Sequence, residues 1–381
     1  MIDSMRASFN NVVSVDAGDA FGGNSELEKR KAEVVLRCMG LMGYDALCVG
    51  ELELELGTEF LLDAARETKV PLVNANLVYR RNGKTVVQPY LITKRGNVKV
   101  GIVGLIDNVL SVPPAASRPD SLVILDPVET AKKLIPSLKK KVDVVVVLAH
   151  MGIAKSTKLV NEVPQIDVLV IGHNTSVLIE PRKEGNALVM AGGAKAQYVG
   201  RLILKLEGKK GIISHEGTQV PLDGRIREGK LVLAVIQEYN KQEKKLTDER
   251  MRQEQEASLS RAGEDRYLGE GTCRRCHEGV DQKVSKMGHA RAYETLTKTN
   301  SEGLTECLAC HTTGYGEPTG FGKASSVELE NVQCEACHGM GSAHKRDGSY
   351  KQVSEQKCLV CHTKDRSPDF NYKTYVKKIS H

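Results

Sequence analysis

CRRCH at Cys273–His277, CLACH at Cys307–His311, CEACH at Cys334–His338 and CLVCH at Cys358–His362 repeat one five-residue pattern four times. Two thiols separated by two residues let one short turn reach both vinyl groups of a porphyrin. The His that follows directly offers its imidazole to the iron, so C-x-x-C-H reads as the attachment signature of a c-type haem. A zinc ribbon also uses CxxC pairs, but it has no reason to place His after the second Cys in every copy. A thioredoxin-like CxxC occurs singly beside a βαβ unit, and a disulfide framework would leave the histidines without a role. The spacing therefore predicts four covalently attached haem c groups. They are carried by Cys273, Cys276, Cys307, Cys310, Cys334, Cys337, Cys358 and Cys361, with His277, His311, His338 and His362 as proximal iron ligands.

Around these motifs, residues 263–381 are Gly-rich and poor in strand patterns, which predicts a mainly α, loop-rich haem domain. With about 30 residues or fewer per haem, the cofactors must pack against one another and supply much of the apolar core themselves. The segment holds seven His, of which four are proximal, leaving His289, His344 and His381 for four distal positions. One iron is left over. It is open, or takes Met287 or Met340, or borrows His150, His173 or His215, or a His of another subunit.

The first 228 residues read differently. Near-continuous Val/Ile/Leu runs alternate with amphipathic stretches: strands at 11–16, 45–50, 70–77, 98–106, 142–150, 166–173, 187–193 and 198–208, and helices at 25–43, 58–68 and 128–140. That alternation predicts an α/β layered fold with sheets buried on both faces. Residues 229–262 begin apolar and become almost wholly charged, as expected of a helical connector. Cys38 and Cys48 fall in apolar contexts and read as buried free thiols.

The 381 residues carry a formal charge of +6, which haem propionates would offset, and no basic run with interleaved aromatics suggests nucleic acid. No apolar run is long enough to span a membrane. Haem attachment takes place outside the cytoplasm, so the chain is expected to be exported, periplasmic or extracellular. The opening MIDSMRASFNN shows no signal-peptide pattern, which suggests that residues upstream are absent.

SVDAGDAFGG (Ser14–Gly23), GELELELG (Gly50–Gly57), VVLAHMG (Val146–Gly152) and VLVIGHNT (Val168–Thr175) resemble, in that order, the metallophosphoesterases of the 5'-nucleotidase type. The resemblance implies a metallophosphoesterase-like fold for residues 1–228, with Asp19, His150 and His173 at metal-binding positions. It also shows departures. Glu51 stands for the family's Asn, Leu52 for its catalytic His and Thr175 for its last metal-binding His, and the Asp-x-His strand would precede Met1. Two-metal hydrolysis needs both ions held close together, so the expectation is a catalytically dead domain with at most a vestigial single-ion site.

MGHARAYETL (Met287–Leu296), CEACHGMGSAHK (Cys334–Lys345) and SPDFNYKTYVKKISH (Ser367–His381) look like the tetrahaem cytochrome c-554 family. The resemblance implies His289 and His344 as distal ligands, His381 as a third, and one five-coordinate iron. Together these readings predict an electron carrier with mostly bis-His haems, exchanging electrons with other redox proteins such as multihaem cytochromes. Its first domain would be a scaffold or docking surface, and a homo-oligomer is compatible with this. Rival readings are a redox enzyme acting on a small nitrogen or oxygen species at an open haem, and an active phosphoesterase.

Overall fold

The computed structural model describes residues 1–381 except 111–121, 174–175, 209–210, 260–264, 323–327, 350–351 and 381. Thr175 and His381 therefore lie outside the described residues. The chain divides into two compact units, Met1–Val235 and Ile236–His381.

Unit 1 contains, among the described residues, strands β1 (Val15–Asp16), β2 (Ala46–Cys48), β3 (Leu72–Val73), β4 (Leu77–Tyr79), β5 (Tyr90–Arg95), β6 (Val98–Ile106), β7 (Leu122–Ile124), β8 (Val144–His150), β9 (Val168–Gly172), β10 (Arg182–Glu184), β11 (Ala187–Ala191), β12 (Tyr198–Leu206) and β13 (Ile212–Pro221). Its helices are α1 (Ile2–Ser8), α2 (Glu26–Met42), α3 (Glu51–Glu55), α4 (Thr58–Thr68), α5 (Pro127–Lys139) and α6 (Gly152–Glu162). Helix α7 (Lys230–Leu259) begins in unit 1 and contains the division between the units.

The main sheet has the order β10-β11-β9-β8-β6-β5. Its centre, β11-β9-β8-β6, is parallel, and β10 and β5 pair antiparallel at its edges. On one face Val103, Leu105, Val145, Val147 and Leu169 pack with Ile135, Leu138 and Leu159 of α5 and α6. On the other, Ile102, Val144, Leu148 and Val168 meet Ala46, Cys48 and Val73 of the parallel β1-β2-β3 sheet. The far face of that small sheet carries Leu36 and Met39 of α2 and Leu61 and Ala64 of α4. The result is four layers, helix–sheet–sheet–helix, which is why the strands of both sheets read as unbroken apolar runs.

Local signals act as their chemistry requires. Ser25 caps α2 by accepting from the Glu28 amide, and Gly43 ends it in the left-handed conformation. The run at 70–77 is interrupted, however. The Asn74 side chain accepts from the Asn76 and Leu77 amides and donates to the Val49 carbonyl, ending β3 before β4 begins. The segment 198–208 pairs with β13 in a separate antiparallel hairpin instead of extending the main sheet. Cys38 and Cys48 are buried free thiols.

Unit 2 is a set of short helices at Glu270–Cys273, Glu278–Val284, Ala292–Thr299, Thr305–His311, Cys334–His338, Gly341–Asp347, Glu355–Leu359 and Tyr372–Ile379, joined by turns. Its buried apolar cluster is small: Met251, Leu296 and Leu308, with Tyr293 and Phe321 against them. Among the described residues no helix is long and apolar enough to cross a membrane.

Candidate functional sites

In unit 1 the chemistry gathers at the carboxyl ends of parallel strands, where open α/β sheets place their ligand crevices. The turn after β1 brings Asp19, the residue after Gly50 brings Glu51, β8 ends on His150, and His173 follows β9. Donor atoms of these four side chains all lie within 4.8 Å of one another. His150 Nε2 is 2.8 Å from Glu51 Oε2 and 3.2 Å from Asp19 Oδ2, and His173 Nδ1 is 2.8 Å from Glu51 Oε1. The two imidazoles meet edge to face at 5.1 Å. His150 is fully buried, whereas His173 is 41% exposed, so the site opens on the His173 side.

Glycines make this convergence sterically feasible. A Cβ on Gly18 (φ +97°) would stand 2.8 Å from His150 Nδ1, one on Gly50 would stand 2.4 Å from Asp19 Oδ1, and one on Gly172 2.9 Å from His150 Nδ1. Asp19 and His173 themselves adopt left-handed backbone, φ 60° and 50°. Such conformations cost of order 1–3 kcal/mol each and cluster where structure serves a site.

His150 Nδ1 donates to the Ala17 carbonyl at 2.8 Å, which directs the Nε2 lone pair of a neutral ring at the two carboxylates. A lone pair facing two anions requires a cation between them, either a proton or a metal ion. With no ion, burial opposes the imidazolium, but hydrogen bonds to Asp19 and Glu51 outweigh it and push His150 up to about 10. Burial likewise opposes ionisation of Glu51, yet His150 and His173 hold its carboxyl below the usual range. Buried Glu53 accepts from the amides of Asp19, Ala20 and Gly50, and so braces both ligand-bearing turns. Burial, then the Asp19 charge, push its carboxyl up to about 8.

A backbone carbonyl fixing one ring nitrogen while the other faces anionic ligands is the usual arrangement around a metal-bound His. Asp19, Glu51, His150 and His173 thus fit one divalent ion, which would supply Lewis acidity and a site for bound water. Of this set the sequence motifs marked Asp19, His150 and His173, and the structure brings all three together. Glu51, which reads as the loss of the family's Asn, joins them as a fourth donor. Leu52 offers no titratable atom, and its amide donates to Asp19 Oδ1 at 3.0 Å.

In unit 2 the four CxxCH motifs are neighbours. The Cys273 thiol neighbours Cys334, Cys310 neighbours Cys361, and Cys337 lies within electrostatic reach of Cys358. Non-motif side chains set this arrangement. Buried Glu335, inside the third motif, accepts from the amides of Leu268, Gly269 and Gly341, tying the segment before the first motif to the third. Gln333 Oε1 accepts from the Glu270 amide, and Thr313, just past the second motif, accepts from the Gln333 amide.

Two non-motif imidazoles face motif imidazoles. His344 lies opposite His277 with ring centroids 6.1 Å apart, and His289 stands opposite His362 at 6.0 Å. An ion bound to two imidazoles at about 2 Å per bond separates their centroids by about 6 Å, the separation found in both pairs. The second nitrogens are occupied as ligation requires: His344 Nδ1 by the Ser349 carbonyl, His362 Nδ1 by Ser367 Oγ, and His311 Nδ1 by the Ala292 carbonyl at 2.6 Å. Burial, with the neighbouring His362, lowers the pKa of His289 and so favours the neutral ring that iron needs. His381 lies outside the described residues.

The sequence model of the family described as "Cytochrome c554 and c-prime" matches residues 272–339, which implies haem c. The 2',3'-cyclic-nucleotide 2'-phosphodiesterase/3'-nucleotidase of Haemophilus influenzae is 29% identical over 211 residues, covering 48% of this chain and 32% of that protein. The 5'-nucleotidase of Rattus norvegicus is 28% identical over 265 residues, covering 62% and 45%. The chain thus spans less than half the length of either. In fold, the 5'-nucleotidase precursor of Thermus thermophilus superimposes with a TM-score of 0.56 at 24% identity, covering 63% of this chain and 51% of that one. The chain accordingly joins a unit with a 5'-nucleotidase/metallophosphoesterase-like fold to a segment that matches the cytochrome c554 and c-prime family.

Proposed function

We propose that the protein is an electron carrier with four covalently bound c-type haems, at least two of them bis-His, exported and exchanging electrons with other redox proteins, multihaem cytochromes among them. The observation that carries this reading is the pair of facing imidazoles, His277–His344 and His289–His362, at the separation an iron requires. The thiol neighbours extend it. Motif one adjoins three, three adjoins four and four adjoins two, so the haems would form a continuous path in that order. His277 with His344, and His362 with His289, would hold two of the irons, and bound haem would supply one-electron chemistry between the ferric and ferrous states. The protein supplies ligation, spacing and dielectric, while the redox chemistry belongs to the cofactor. A bis-His iron has no free position for substrate, which suits a carrier. We also assign His381 as a third distal ligand, following the histidine count.

The test is electron paramagnetic resonance of His344→Ala and His289→Ala. Each variant should convert one low-spin haem to high-spin without loss of covalent haem. An unchanged low-spin count in both would refute the reading.

One observation favours a second reading, phosphoester hydrolysis in unit 1: the convergence of Asp19, Glu51, His150 and His173. Against it, Leu52 cannot donate a proton to a leaving group. Assays of the metal-supplemented protein with nucleotides and an aryl phosphate decide, with turnover above about 1 per second supporting hydrolysis.

A further inference from the structure

Glu51 gives the site of unit 1 a negative charge that the resembled family's Asn would not. Its two carboxylate oxygens divide between the two imidazoles, Oε2 to His150 Nε2 and Oε1 to His173 Nδ1, each at 2.8 Å. A carboxamide has a single acceptor oxygen, whereas the carboxylate meets each imidazole with a separate one. Charge gives the same position a second meaning. Asp19 with two neutral imidazoles carries −1, so a divalent ion bound by those three alone would keep a net +1 and attract phosphate. Adding Glu51 brings the ligand set to −2, and the loaded centre becomes neutral. Affinity for a divalent ion rises with the number of anionic ligands, whereas attraction for an incoming anion falls with the net positive charge.

We propose that Glu51 is a direct ligand of one divalent first-row transition ion held with Asp19, His150 and His173, and that its charge leaves the loaded centre neutral and a poor binder of phosphate. Two imidazole nitrogens and two carboxylate oxygens suit zinc, iron or manganese in the divalent state. The spread of the four donors, within 4.8 Å, fits one coordination sphere with bonds of about 2.0–2.2 Å. His150 is prearranged for the ion by the Ala17 carbonyl, and Asp19 by the Leu52 amide. His173, exposed at the mouth, is the side on which an ion would enter. Unit 1 on this account retains a cation instead of processing a phosphate ester.

The experiment uses the full haem-loaded chain, stripped of loosely held metal and titrated calorimetrically with Zn²⁺ alone, then with inorganic phosphate after loading. The wild type should bind one zinc per chain and show no measurable phosphate binding. Glu51→Asn should weaken zinc at least tenfold while bringing phosphate affinity into the measurable range. Glu51→Asp, which keeps the charge but not the reach, should weaken zinc without admitting phosphate. Far-UV circular dichroism checks that each variant is folded, and Glu51→Gln replaces any that is not. No zinc uptake, two zinc ions per chain, or equal zinc affinity in wild type and Glu51→Asn would overturn the proposal. The proposal also bears on the second reading above, and the outcomes separate the two. Phosphoester turnover with zinc affinity dependent on Glu51 contradicts only the loss of phosphate binding, whereas zinc affinity indifferent to Glu51 removes the ligand itself.

Discussion

His150 concentrates the physical chemistry of unit 1, because one buried ring nitrogen faces Asp19 and Glu51 while the other is fixed on Ala17. Its pKa, pushed up to about 10 from 6.5, means that the ion-free site holds a proton where a metal would sit. Metal uptake must displace that proton. Zinc binding at pH 8 is therefore expected to release about one proton from this group, read from the buffer dependence of the calorimetric heat. Apparent affinity should climb as pH rises towards 10 and level off above it. The linkage to folding has the opposite sense. A folded pKa above the unfolded one stabilises the ion-free protein fully below about 6.5, and that contribution is lost as pH rises towards 10. Loading with zinc should remove this loss. At the glycine beside it, Gly18→Ala would put a Cβ 2.8 Å from His150 Nδ1 at φ +97°. The expected cost is about 2 kcal/mol or more, measured as a fall in the denaturation midpoint of unit 1, together with weaker zinc binding.

At the scale of elements, the strand ends of unit 1 and the short helices of unit 2 are held by carboxylates that bind backbone amides. Glu335 is the clearest case. It is buried, and its two oxygens accept from Leu268, Gly269 and Gly341. Glu335→Ala would orphan these donors and is expected to destabilise unit 2 by about 3 kcal/mol, seen as a lower denaturant midpoint in haem absorbance. Little of this was legible beforehand, since Glu335 occupies an x position of CxxCH, where the motif constrains nothing. Gln333 and Thr313 lie in segments without periodicity. By contrast, strands β6, β8, β9 and β11 were plain, because burial between two layers leaves uninterrupted apolar runs. The short helices α3 and α6 were missed: the first lies inside a motif read for its chemistry, and the second follows His150 with only a few apolar residues. Leu148, fully buried between the two sheets, shows what those runs contribute. Leu148→Ala should cost about 2–5 kcal/mol in thermal or chemical unfolding of unit 1.

On the scale of the whole molecule, two kinds of site share one chain, and they were unequally readable. The CxxCH pattern is local, so five consecutive residues announce each copy. The candidate metal site draws on residues 19, 51, 150 and 173, and the fold alone decides which of them meet. Three matched the family's order of motifs, but Glu51 departed from it and looked like damage until its carboxylate was placed between two imidazoles. His289 and His344 were singled out by the family resemblance and the histidine count, whereas the imidazoles they lie opposite, His362 and His277, required coordinates. The central claim, that all four motifs carry haem, is tested most directly by the intact mass of the fully denatured chain. The account predicts a mass increase equal to four covalently retained haems. A chain carrying fewer than four, or thiols that bind zinc instead, would contradict it.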